Sequence, residues 1–122
     1  MSGELEGLPP QVQERLLRLQ QLQQTLNSVL GQKQQVELEV AEIDQASGEL
    51  QKLGDDAIIY KATGSLMIRA EKPKITTELT ERKDLLNTRV TILIKQEERL
   101  RGQIKEVQTK LQQDLNPVTP QT

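Results

Sequence analysis

Two groups of residues in this chain have types and spacing that could do chemistry. Lys33 and Glu97 offer an acid–base pair, and Asp55 and Asp56 offer adjacent carboxylates. A Lys–Glu pair catalyses only inside a pocket, which a two-helix rod does not enclose. Two neighbouring carboxylates at a helix end are a weak cation signal and more commonly solvate a turn. Cysteine and histidine are absent, which removes the usual nucleophile, general base and metal ligands. Gly-rich phosphate loops and nucleophile motifs are missing as well. The expectation is a protein that is not an enzyme and uses neither cofactor nor metal, so its chemistry is that of association.

Composition says what kind of elements do the associating. The chain has 122 residues, no Phe or Trp, 34% hydrophobic residues and a net charge of −2. A core built on large aromatics is excluded, and the Gln-rich balance suits long solvated helices better than a globule. Acids and bases are interspersed, so neither the basic footprint of a nucleic-acid binder nor a polybasic membrane patch is present. No apolar run approaches the ~20 residues of a membrane span. The start, MSGELEGLPPQ, lacks a basic stretch followed by an apolar one. With no cysteine for disulfides, a cytoplasmic location is expected.

Pro9-Pro10 reads as a helix start. From there a 3-4 spacing runs through Leu19, Leu22, Leu26, Val29, Lys33, Val36, Val40, Ile43, Ser47 and Leu50. A second helix, capped by Thr76 or Thr77, carries Leu79, Lys83, Leu86, Val90, Leu93, Glu97, Leu100, Ile104, Val107 and Leu111. Each seam is apolar except at two positions, which is the pattern of a coiled coil. If the chain folds back on itself, the seams align and the exceptions coincide, Lys33 opposite Glu97 and Ser47 opposite Lys83. A polar pair at such a position fixes register at a cost in stability. The expected fold class is mainly α: an antiparallel two-helix coiled coil with one central β-hairpin. The expected division is a flexible N-terminus over 1–9, a first helix over 10–53, a hairpin assembly region over 54–74, a second helix over 75–116 and a flexible tail over 117–122. The first helix would be about 65 Å long at ~1.5 Å per residue, and the second slightly shorter. Off the seam, Leu85, Ile92 and Ile94 either broaden the apolar stripe or pack against a neighbouring helix.

Between the helices, DDAIIYKATGSLMIRAEKP (Asp55 to Pro73) alternates apolar residues around a Gly. The pattern predicts a type I turn at Ala62-Thr63 with Gly64 left-handed in a bulge. That register places Ile58, Tyr60, Leu66 and Ile68 on one face, and Ala57, Ile59, Lys61, Met67 and Arg69 on the other. A lone hairpin is marginal in water and both its strands are edges. Its missing partners must come from other chains, which makes Ile58, Ile59, Tyr60, Leu66, Met67 and Ile68 the candidate assembly residues. A peptide-binding edge is the alternative use.

Two long helices joined by one hairpin, with YKATGSLMIR (Tyr60 to Arg69) at the hairpin, resemble the β class of the prefoldin family, archaeal type. LQQLQQ (Leu19 to Gln24) and KQEERLRGQIKEVQ (Lys95 to Gln108) fit the same family, and the resemblance covers roughly residues 9 to 115. It implies a hexamer of two α-type subunits and four β-type copies, with the hairpins joined into a double β-barrel and the coiled coils hanging from it. It also implies an ATP-independent chaperone that holds unfolded proteins near the coiled-coil tips and passes them to a group II chaperonin. The tips are the helix ends, where the register sets Leu16 opposite Asp114 and Val12 opposite Val118 and the seam fails. Leu5, Leu8, Val12, Leu16, Leu17, Leu115 and Val118 are therefore the candidate client-contact residues, the other reading being that Val12 and Leu16 finish the coiled coil. The competing function is a structural coiled-coil adaptor that docks through its hairpin and has no general chaperone activity.

Overall fold

Proline at a helix start costs nothing, because its missing N–H would have no partner there. The Pro9 carbonyl accepts from the Val12 and Gln13 amides at 3.0 and 3.1 Å, closing the first turn. In the computed structural model, which describes residues 7–116, helix α1 spans Pro10–Gln51. Strand β1 spans Ile59–Thr63, strand β2 Leu66–Ala70, and helix α2 Lys72–Leu115. The fold is thus mainly helical, with one antiparallel hairpin between two long helices. Leu5, Val118, most of the expected flexible N-terminus and the whole expected tail lie outside the described residues.

Helix α2 begins at Lys72, ahead of the Thr76 or Thr77 cap that the sequence suggested. Pro73 occupies its first turn, and the Ile75 amide donates to the Glu71 carbonyl at 3.1 Å. The Thr76 and Thr77 hydroxyls donate back to the Lys72 and Pro73 carbonyls at 2.8 and 3.0 Å. A threonine that bonds four residues back sits inside a helix and is not capping it. Past Gln51, the Lys52 and Leu53 amides donate to the Glu49 and Leu50 carbonyls, tightening the end of α1. Lys72 Nζ donates to the Leu53 carbonyl at 2.7 Å and lies 3.6 Å from Asp55 Oδ1. A cation is favourable where a helix leaves unpaired carbonyls. Asp55 therefore serves this junction.

The described residues form two units, one of 7–32 with 93–116 and one of 33–92. In the first, Val12, Leu22, Leu26 and Val29 of α1 and Leu93, Leu100, Ile104 and Leu111 of α2 are buried. Arg15 donates to Asp114 beside this core. In the second, Val36, Ile43 and Leu50 of α1 and Leu86 of α2 are buried. Its helices run antiparallel: Lys72 at the start of α2 reaches Leu53, and Arg82 further along reaches Glu39 further back, at 2.9 Å. Lys83 does not stay in the seam but turns to Asp44 Oδ1 at 2.6 Å. Apart from Val12, every buried residue of both units belongs to the two seams read from the 3-4 spacing.

Leu85 and Ile92 are more than half exposed, and Ile94 is exposed. They do not broaden the buried stripe. At positions two or one residue from a seam residue, a helix turns the side chain away from the partner helix.

Candidate functional site

The hairpin is set by one glycine. Gly64 has φ +60°, and no other residue among those described has positive φ. β1 and β2 pair Thr63 with Leu66, Ala62 with Met67, Lys61 with Ile68, Tyr60 with Arg69 and Ile59 with Ala70. The loop is therefore the two residues Gly64-Ser65, a type II′ turn with its glycine at the first central position, whose twist matches that of the strands. This corrects the expected bulged turn at Ala62-Thr63. A left-handed glycine fits both turns, but the two-residue loop changes the register and so exchanges the faces. Tyr60 shares a face with Ala62, Met67 and Arg69, whereas Leu66 and Ile68 share the other with Ile59, Lys61 and Thr63.

The expected contrast between a wholly apolar face and a mixed one consequently disappears. Tyr60 and Met67 on one face are 57% and 66% exposed, and Leu66 and Ile68 on the other are 63% and 49% exposed. Ile58 lies just outside the ladder and is exposed, while Ile59 is half-buried. Four large apolar side chains thus stand in solvent on a sheet of two strands, each with one edge unpaired, and Ile58 stands in solvent beside them. Exposed apolar side chains on unpaired edges are the conditions under which strands join other chains.

The hairpin is also held to α2. Lys61 Nζ donates to Glu78 Oε2 at 2.9 Å. That hydrogen bond, reinforced by the charges of Lys61 and Lys74, lowers the Glu78 pKa below its ordinary value near 4.5.

The second candidate site is the unit holding the start of α1 and the end of α2. Val12 is buried there, so the seam does not fail at it: the helices keep packing into the first turn of α1, flanked by Arg15 and Asp114. Leu16 is half-buried, and Leu8 is half-buried with its carbonyl accepting from Gln13 Nε2 at 2.7 Å. Leu17 and Leu115 are exposed. Leu17 lines an open groove of about 690 Å³ with Gln11, Arg18, Gln21, Gln103 and Lys110 among its walls. Reasoning from the sequence named Leu17 but missed these polar walls. Their only signal was a spacing of three or four along each helix, which charged helices show everywhere.

Lys33 and Glu97 are each half-buried, and Glu97 accepts from Arg101 Nε at 2.9 Å along α2. Among the described residues no three acidic side chains converge as a metal site would require, and no helix is long and apolar enough to cross a membrane.

Comparison with known proteins agrees with this architecture. The family of prefoldin subunits matches residues 13–117. The chain is 46% identical to prefoldin subunit beta of Methanothrix thermoacetophila over 98% of each protein. It is 44% identical to the same subunit of Archaeoglobus fulgidus, over 90% of this chain and 95% of that one. The crystal structure of the prefoldin beta subunit from Thermococcus strain KS-1 superposes with a TM-score of 0.84 at 40% identity, covering 91% of this chain and 97% of that one. The prefoldin beta2 subunit of the same strain shares the fold, with a TM-score of 0.68 at 21% identity over 75% of this chain. The chain belongs to the prefoldin family of chaperone subunits, in its beta class.

Proposed function

We propose that this chain is the β-type subunit of an ATP-independent holdase in the cytoplasm. It assembles through its hairpin with α-type prefoldin subunits and further copies of itself, as an α2β4 hexamer built on a shared β-barrel. The hexamer captures unfolded proteins at the helix ends and delivers them to a group II chaperonin. The observation that carries this reading is the hairpin, with apolar side chains exposed on both faces and both outer edges unpaired. Burying one such side chain is worth about 1.5–3 kcal/mol, so covering both faces favours assembly strongly. Leu17 and Leu115, exposed near the helix ends, support client capture there: weak apolar contacts repeated over several subunits hold an unfolded chain by avidity.

Ile68→Asp tests the assembly role. It should abolish complex formation with an α-type prefoldin subunit in sedimentation while leaving helicity unchanged, and an unchanged complex mass would refute it. Client capture is tested by Leu17→Ser with Leu115→Ser, which spares the core. The assembled double variant should suppress aggregation of an unrelated denatured protein several-fold less well than the parent. Equal suppression would move the capture zone away from the helix ends, and no suppression by the parent would favour the adaptor reading.

A further inference from the structure

Strand β2 runs into helix α2 through a single residue, Glu71, and α1 reaches β1 through residues 52–58. The hairpin therefore meets the helices at one narrow junction, about which a two-stranded ribbon is free to swing. Lys72 Nζ ties the Leu53 carbonyl and Asp55 there, and the Ala57 amide donates to the Gly54 carbonyl at 3.1 Å. These bonds involve no strand residue, so they close the junction without setting the tilt of the ribbon.

Burial shows which way the ribbon leans. At its base Ala57, Ile59 and Ala70 are half-buried, whereas Ile58, Tyr60 and Arg69 are exposed. Ile59 and Ala70 share a face with Lys61, and Tyr60 and Arg69 share the other. The Lys61 face is thus the one inclined toward the helices. Further out on that face, Lys61 Nζ reaches Glu78 Oε2, in the second turn of α2, at 2.9 Å. Among the described residues this is the only hydrogen bond or ion pair between a strand side chain and a helix. We propose that the Lys61–Glu78 pair is a strut that sets the angle of the hairpin on the helices and holds it ready to pair with the strands of other chains.

Both are positioning residues, acting through the placement of Tyr60, Leu66, Met67 and Ile68. A lone exposed ion pair adds little to the stability of a fold. Holding a binding element in its bound orientation spares ordering entropy that association would otherwise cost, and every copy in an assembly presents its own hairpin. The inference rests on the hairpin-assembly reading.

The chain has no native cysteine, so two labels can be placed without removing others. Ser65→Cys at the turn and Arg89→Cys on α2, both exposed positions, carry nitroxides in the full chain, and pulsed electron paramagnetic resonance measures the distances between them. The distance distribution should be narrow in this labelled parent and stay narrow with Lys61→Arg. It should broaden with Lys61→Met, which keeps an aliphatic stem and removes the charge. Without labels, Lys61→Met and Glu78→Met should each weaken binding of an α-type prefoldin subunit about threefold, the scale of one exposed ion pair, with helicity unchanged. The double variant should lose no more than either single one, because the two residues act as one contact. A distribution indifferent to Lys61→Met overturns the strut. A broadened distribution with unchanged binding, or losses that simply add, overturns its role in assembly and leaves hairpin assembly standing. A parent chain that binds no α-type subunit overturns hairpin assembly and this inference with it.

Discussion

Glu78 illustrates how a single exposed residue reports on the fold. Its carboxylate is held below the ordinary value near 4.5 by the hydrogen bond from Lys61. A group whose folded pKa is depressed contributes its stability above the unfolded value, and that contribution is lost as pH falls through the folded one. Glu78→Gln should therefore flatten the acid limb of the stability curve below pH 4.5, and thermal melts of both proteins across that limb would check it. Burial decides the larger effects. Leu86 is 2% exposed, whereas its neighbour Leu85 is 61% exposed. Leu86→Ala should cost about 2–5 kcal/mol in denaturant unfolding of the isolated chain, and Leu85→Ala no more than about 0.5 kcal/mol. The sequence distinguished these two leucines correctly as seam and off-seam. It favoured Leu85 as broadening the apolar stripe, which its exposure contradicts, because periodicity tells which side chains face the partner helix, not what covers the rest.

Among the elements, the helices were readable because a 3-4 apolar spacing sustained along the whole of α1 and α2 is characteristic of coiled coils and matches neither a strand nor a loop. The hairpin's existence was readable too, from alternation around Gly64. Its register was not, because a left-handed glycine satisfies both the bulged and the two-residue turn. The start of α2 was misread for a similar reason, since Thr76 and Thr77 look like caps in a sequence but bond backward in the structure. The helix-end site was the least readable part, because the burial of Val12 depends on how far the helices keep packing. The turn assignment makes its own prediction. A Cβ at Gly64 would meet no neighbour, so the cost of a substitution there is conformational. Gly64→Val should destabilise the hairpin by at least about 1–2 kcal/mol, and Gly64→Asn should destabilise it as well, because the first central position of a type II′ turn has ψ of about −120°, outside the left-handed helical region that Asn visits. Faster amide exchange of residues 59–70 in both variants would check this.

In the molecule as a whole, apolar residues are divided between two uses. The seam residues are buried within the chain, and the hairpin residues Ile58, Tyr60, Leu66, Met67 and Ile68 are left in solvent. A protein of net charge −2 with interspersed acids and bases has no strong field to steer it onto a polyelectrolyte, so the exposed hairpin is where association is expected. The decisive measurement is the mass of the purified chain in solution, alone and mixed with an α-type prefoldin subunit. A discrete hexamer on mixing is the predicted result, and a stable monomer in both samples would contradict hairpin assembly.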